Sequence, residues 1–326
     1  MPLFIGPMEA NRLKNTYTPW KVGRGQMKII VAGSSGLIGS RLVEKLDGQG
    51  HQVIRLRHGE LIGSSSHGAT WNPSASKVDL SQLGQVDAVI NLAGEPIGTS
   101  RWTAPKRQKI VESRENGSRI LVEAMSKMEK PPKCFLNGSA IGYYGDTGDS
   151  VVDEDRESGD GFLAEVCIRN EAAANKATAL GVRVVHLRTG IVLAKNGGVL
   201  KKQLPLFAIG LGGKLASGKQ YLSWVHIDDE VSGIIFALDN EISGPLNLTS
   251  PNPVTNAEFT KTLAAIMVRP SFLTVPKIAL NTVMGAEITQ EMLLVSQKVA
   301  PKKLVLSGFR FQYPNLEGAL RNIISG

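Results

Sequence analysis

Residues Met27 to Gly39 constrain this chain more than any other stretch. Lys28-Ile29-Ile30-Val31-Ala32 is a continuous β-branched apolar run, the character of a strand buried on both faces of a parallel sheet. Gly33, Gly36 and Gly39 come next at intervals of three, and Leu37, Ile38, Leu42, Val43 and Leu46 supply the apolar face of a helix behind them. A helix start presents unpaired N–H groups and the positive end of its dipole, and glycines remove the side chains that would keep a ligand's backbone contacts at a distance. The stretch Gly33, Ser34, Ser35, Gly36, Leu37, Ile38, Gly39 therefore reads as a pyrophosphate cradle, with an ordinary tight strand-to-helix turn as the alternative.

The segment beyond the helix supports a nucleotide. Gly50-His51 closes the helix and Gln52 to Leu56 forms a second strand, completing a unit of about 30 residues. An acidic residue past that strand would bind a ribose 2′-hydroxyl, whereas basic residues accommodate a 2′-phosphate. Arg57 and His58 stand there, which favours NADP(H) over NAD; solvated loop residues are the other reading. The polar stretch 59–76 gives way to a buried strand, Val86 to Ile90, ending in the small turn Asn91-Leu92-Ala93-Gly94. Trp102 to Met128 has helical spacing and stops at Pro131-Pro132. Cys134 to Asn137 reads as a strand and Gly138 to Gly145 as the turn beyond it, gathering Ser139, Tyr143 and Tyr144 where sheets of this kind place their chemistry. A helix over 161–180 and a strand over 182–187 continue the rhythm. Strands alternating with helices in this way predict an α/β, Rossmann-type doubly wound parallel sheet.

The remainder is shorter and mixed. Trp224-Val225-His226-Ile227 runs into Asp228-Asp229-Glu230 as a strand followed by a helix with Asp228 as its N-cap. The expected organisation is a disordered tail over 1–26, a dinucleotide domain over 27–195 and a mainly helical substrate cap over 196–326, with 224–250 returning to the sheet.

Composition excludes several classes. The chain has 326 residues with a net charge of +8, but its basic residues are scattered without interleaved aromatics, so nucleic acid is not an expected partner. Two cysteines, Cys134 and Cys167, and dispersed histidines form neither a disulfide framework nor a metal site. No run approaches the roughly 20 apolar residues of a membrane span, and no membrane partner is expected. The expected location is cytoplasmic, and the basic segment before Met27 leaves organellar import open. A homodimer is a possibility that no helix announces.

Gly33-x-x-Gly36-x-x-Gly39, Asn91-Leu92-Ala93-Gly94, Ser139 to Gly145 and Trp224 to Asp229, in this order, resemble the extended short-chain dehydrogenase/reductases. DAVINLAGEPI, Arg101-Trp102 with Ser113-Arg114, GYYGD, LRTGIVLA, Gly210-Leu211-Gly212-Gly213 and Val254-x-Asn256-x-x-Phe259 are similar to one atypical branch, the epimerase-family, cell-division-inhibitor-like proteins with a C-terminal domain of unknown function. The resemblance implies NADP(H), with the pyrophosphate on Gly33 to Gly39, the 2′-phosphate at Arg57 and His58, and further contacts at Leu92, Ala93, Gly94, Arg114 and Val192. From chemistry alone Arg114 could equally form a helix-surface ion pair. The usual Tyr-x-x-x-Lys pair is absent: Phe162 and Val166 occupy its best-matching positions, and Ala140 stands where the usual serine would. Ser139, Tyr143 and Tyr144 are the remaining catalytic candidates, with packing as their alternative role. Lys195 and His226 are weaker ones. The functions implied are hydride transfer on a small substrate by a reductase or epimerase-like enzyme, or cofactor binding by a non-catalytic regulatory or scaffold protein linked to cell division.

Overall fold

The computed structural model describes residues 25–58, 68–72, 77–78, 80, 83–98 and 101–325. Eight strands form the main sheet: β1 (Lys28–Ala32), β2 (Gln52–His58), β3 (Gly68–Asn72), β4 (Lys77–Val78), β5 (Ala88–Asn91), β6 (Cys134–Ala140), β7 (Arg183–Thr189) and β8 (Gly244–Leu248). Their order is β8-β7-β6-β5-β1-β2-β3-β4, parallel throughout except for the antiparallel edge pair β3–β4. The expected Rossmann-type sheet is present. Chain order reverses between β1 and β5, the position at which sheets of this class form a crevice at the carboxyl ends of the strands.

Side chains alternate across the sheet with the strand period of two. On one face Ile29, Val31, Ile90, Leu136 and Leu187 pack against α1 (Leu37–Gly48) and a later helix, Ile227–Asp239. On the other, Ile30, Ala32, Val89, Phe135 and Val184 meet α2 (Ala104–Ser126) and α3 (Phe162–Asn175). The start of α2 is set by its sequence: Thr103 caps it by accepting from the Lys106 amide, with proline in the first turn.

Three elements depart from the sequence reading. Cys134–Ala140 is one unbroken strand paired with β7 up to Ala140↔Thr189, so the turn begins at Ile141 and not at Gly138. Gly138 is accommodated because a Cβ there would lie 2.9 Å from Asn91 O, making glycine a close-approach residue inside the strand. Asp228 is not the N-cap of Ile227–Asp239: His226 is, its Nδ1 accepting from the Asp228 amide at 3.1 Å. Of the segment 224–250, Gly244–Leu248 lies at the sheet edge, whereas Trp224–His226 pairs in parallel with Ile191–Ala194 outside it.

A further core lies outside the main sheet. Leu200 and Phe207 of α4 (Gly198–Ala208) meet Trp224, Leu193 and the Phe259–Leu263 face of α6 (Asn256–Met267), numbering Ile227–Asp239 as α5. A capping box starts α6, with Thr255 and Glu258 satisfying each other's backbone amides. Leu320 and Ile323 of the C-terminal helix Leu316–Ser325 close that core.

Candidate functional site

The glycines differ in what they do. Gly33 has φ +78°, and a Cβ there would lie 2.6 Å from the Leu92 carbonyl. A Cβ on Gly39 would lie 2.1 Å from Gly33 O, so α1 can close on the loop only without a side chain. Gly36 has room, its nearest neighbour being 3.4 Å away. It is the N-cap of α1 and supplies no side-chain cap, which leaves first-turn amides available to an anion. Ser34, Ser35, Leu37 and Ile38 complete this turn.

The backbone of most other cofactor candidates borders it. Leu92 abuts Gly33, and Leu92, Ala93 and Gly94 leave β5 beside β1. Val192 lies on the strand Ile191–Ala194, which turns back on itself through Leu193↔Gly198 and Ala194↔Gly197. That turn, with Lys195 at its tip, rests on α1: a Cβ on Gly197 would lie 2.5 Å from the Leu37 side chain. Arg57 and His58 end β2, next to β1; their side chains lie outside the described residues.

Arg114 reaches this crevice from α2. A Cβ on Gly94 would sit 3.1 Å from its Cζ, and its Nη1 donates to Glu95 O at 3.1 Å and Ile110 O at 3.2 Å. Among the described residues no carboxylate pairs with it, since Glu95 is taken by Lys106 Nζ at 2.5 Å. Burial pulls the Arg114 pKa down, which marks a desolvated cation whose partners among the described residues are carbonyls. The ion pair considered for it is absent among those residues, and an anionic ligand would supply the missing charge.

The three catalytic candidates sit in a different network. Ser139 Oγ donates to Glu171 Oε1 at 2.7 Å. Arg188, at the end of β7, forms a two-pronged bond with Glu171 at 2.9 Å on each prong. Arg188 Nη1 also donates to the Tyr144 hydroxyl at 3.0 Å, which donates onward to Asn247 Oδ1 at 2.7 Å. Burial pushes the Tyr144 phenol up to about 12. Burial alone would pull Arg188 down, but Glu171 and Tyr144 hold it above its ordinary value. Tyr143 stacks beneath Arg188, whose Cζ lies 3.4 Å from the ring centroid, and lines a lateral cleft of about 340 Å³ with His186 and Pro245. Glu171, Arg188 and Asn247 come from distant segments; Arg188 falls in the LRTGIVLA string, and no local motif announces Glu171 or Asn247.

Phe162 and Val166, the positions expected to match the Tyr-x-x-x-Lys pair, are buried. They pack with Ile110, and Trp102 meets Phe162 edge to face at 5.1 Å. Glu291, from the cap, accepts the Phe162 and Leu163 amides at 3.0 and 2.9 Å and so caps α3 in place of a local residue. Beneath the crevice, Asn91, Asn137 and Asn170 donate in sequence to one another and finally to Gly138 O, with the Ser118 hydroxyl among them. This buried relay fixes α2 and α3 against the ends of β5 and β6.

His226 is engaged as a cap, faces Asn322 Oδ1 at 3.2 Å and stacks on Tyr313 with centroids 3.9 Å apart; burial lowers its pKa. Its neighbour Glu230 is fully buried. Thr189 Oγ1 donates to its Oε1 at 2.8 Å, and Oε2 has no partner among the described residues. Burial raises its pKa to about 8.

A glycine-lined helix start at the reversal of strand order, with a desolvated arginine beside it, defines a dinucleotide-binding protein of the Rossmann class. Residues 29–248 match the NAD dependent epimerase/dehydratase family, and residues 275–323 match a domain of unknown function, DUF1731. An epimerase family protein of Mycobacterium leprae is 41% identical over 294 residues, covering 90% of this chain and 94% of its own. A chloroplastic epimerase family protein of Arabidopsis thaliana, an SDR39U1 homolog, is 37% identical over 306 residues, 92% of this chain and 87% of its own. The crystal structure of human epimerase family protein SDR39U1 (isoform 2) with NADPH matches with a TM-score of 0.83 and 31% identity, over 92% of this chain and 100% of that one. The chain therefore belongs to the NAD dependent epimerase/dehydratase family, in the SDR39U1-like branch where DUF1731 follows the epimerase domain.

Proposed function

We propose that this protein binds NADP(H) and acts as an atypical reductase or epimerase-like enzyme on a small substrate. The observation that carries the reading is the uncapped start of α1, closed over Gly33 and Gly39 at distances no side chain would permit, with Arg114 beside it and no carboxylate paired with it among the described residues. The human relative crystallised with NADPH supports the choice of dinucleotide. When bound, the dinucleotide supplies or accepts hydride. The α1 amides hold its pyrophosphate, Leu92 to Gly94 and Val192 let backbone approach it, and Arg57 and His58 take the 2′-phosphate. Arg114 supplies a cation from α2 where Val166 has replaced the lysine of α3.

Proton supply differs from the usual scheme. Phe162 carries no acid, Ser139 is committed to Glu171, and the raised pKa of Tyr144 with its bond to Asn247 makes it a weak donor at neutral pH. The proton that must accompany hydride addition to a carbonyl comes in this reading from Tyr143 or from water. The apolar Phe162 and Val166 also favour a second reading, a non-catalytic NADP(H)-binding regulator or scaffold with a partner in cell division. Purified protein incubated with NADPH and a panel of carbonyl compounds and nucleotide sugars, monitored by loss of NADPH absorbance, separates the two. Turnover with any member supports the enzyme; tight NADPH binding with no oxidation across the panel favours the regulator.

A further inference from the structure

On the cap lies a cluster of bulky apolar side chains that point into solvent. Leu206, Ile209 and Leu211 are 50, 69 and 56% exposed, and Val268 and Phe272 are each 81% exposed. Two hydrogen bonds bring the segments that carry them together. Leu211 N donates to Leu206 O at 2.9 Å, and Arg269 Nε donates to Ala208 O at 2.8 Å, tying the end of α4 to the segment just past α6. A Cβ on Gly210 would lie 3.9 Å from Pro270, and Gly213–Leu215 runs parallel to Leu273–Val275 immediately beyond.

The two stretches that form this face carry charge of one sign. No Asp or Glu occurs between Glu171 and Asp228, nor between Glu258 and Glu287, and the whole face is drawn from those two stretches. Glu258 sits at the far end of α6, held in its capping box. Lys201 on α4, Lys261 on α6, and Arg269 are exposed on the same two stretches as the apolar cluster, whereas Lys202 Nζ is turned to Gly98 O at 2.6 Å.

We propose that this face docks the protein peripherally on an anionic lipid surface. Leu206, Ile209, Leu211, Val268 and Phe272 would enter the boundary between headgroups and acyl chains, while the lysines and arginine meet the headgroup charge. A second copy of the chain is a poorer occupant. A twofold contact through this patch would set an acid-free basic face against itself, and like charges across an interface are repulsive. The contact is peripheral, and among the described residues no helix is long and apolar enough to cross a membrane.

The test is co-sedimentation of the full chain with extruded vesicles of phosphatidylcholine alone and of phosphatidylcholine mixed with phosphatidylglycerol. Binding is expected to the mixed vesicles only, and to weaken with added salt. Each basic residue near an anionic surface contributes roughly a factor of five, so Lys201→Gln, Lys261→Gln and Arg269→Gln together should lower partitioning on the order of a hundredfold. Ile209→Ser with Phe272→Ser should abolish it while leaving the thermal midpoint and NADPH binding unchanged, because both side chains are exposed. Failure of the wild type to bind mixed vesicles overturns the proposal. So does vesicle binding that survives both sets of substitutions. Conversion of a wild-type dimer to monomer by the apolar substitutions would reassign the face to self-association, and capture of an acidic protein without vesicle binding would reassign it to a protein partner; either outcome overturns the lipid assignment.

Discussion

Replacing Glu230 by glutamine changes one titration and little else. The carboxyl is fully buried on α5, accepts one bond from Thr189 at 2.8 Å, and has its pKa raised by burial from 4.5 to about 8. In the unfolded chain the group loses its proton near 4.5, while the folded state keeps it until about 8. The folded state therefore binds more protons across that window, and stability falls as pH rises through it. At about 1.4 kcal/mol for each tenfold difference in proton affinity, the full loss is on the order of 5 kcal/mol by the upper end, and about 3 kcal/mol of it is already gone at neutral pH. Glu230→Gln keeps an acceptor for Thr189, stays neutral, and leaves an amide N–H in place of the acid O–H. Its stability should lie within about 1 kcal/mol of wild type near pH 5 and exceed it by several kcal/mol near pH 8. Urea unfolding monitored by tryptophan fluorescence measures both proteins across the range. His186 and His226, lowered by burial, destabilise both proteins alike as pH falls below their ordinary 6.5, so their contribution cancels in the difference. Parallel pH profiles for the two proteins would refute the reasoning, because they would mean that Glu230 ionises in the folded state as readily as in the unfolded one.

Other parts of the molecule yield three further expected outcomes. Arg188→Met leaves Glu171 buried without its two-pronged partner and should cost about 3–5 kcal/mol of unfolding free energy; adding Glu171→Leu should recover much of that loss, measured by the same urea titration. Arg114→Met should weaken NADPH binding roughly ten- to a hundredfold, the range for a charged hydrogen bond to ligand, without lowering the thermal midpoint, since it removes a desolvated cation that has no carboxylate partner among the described residues; unchanged affinity in a calorimetric titration would remove Arg114 from the site. Arg57→Ala with His58→Ala should reduce affinity for NADPH much more than for NADH, and equal losses would cancel the assignment of the 2′-phosphate.

Local pattern makes the first βαβ unit legible in the sequence: Ile29 to Ala32 are buried on both faces as their continuous apolarity implies, and Gly33 and Gly39 stand where backbone meets backbone. The strand ends at Leu92 to Gly94 could be found for the same reason. What sequence could not show depends on long-range meetings. Glu171 looks like a solvated position on an alanine-rich helix until Arg188, 17 residues away, turns inward to meet it. Ser139, Tyr143 and Tyr144 were legible as a polar group at a strand end, but their partners decide what they can do, and Asn247 lies 103 residues from Tyr144. Asp228 has a favoured capping residue type, yet the chain enters α5 before it is reached, so the cap falls to His226. Trp224–His226 has the composition of a sheet strand and finds its partner in Ile191–Ala194, because a short apolar run specifies burial without specifying its neighbour.

The central claim is that the crevice between β1 and β5 holds a dinucleotide by its phosphates and selects the one carrying a 2′-phosphate. Equilibrium titration of the wild-type protein with NADPH and with NADH, read by calorimetry at one ionic strength, tests it most directly. Saturable one-to-one binding of NADPH, tighter than that of NADH by roughly tenfold or more, as one or two added charged hydrogen bonds would give, is the predicted result. Failure to bind either dinucleotide, or equal affinity for both, would contradict it.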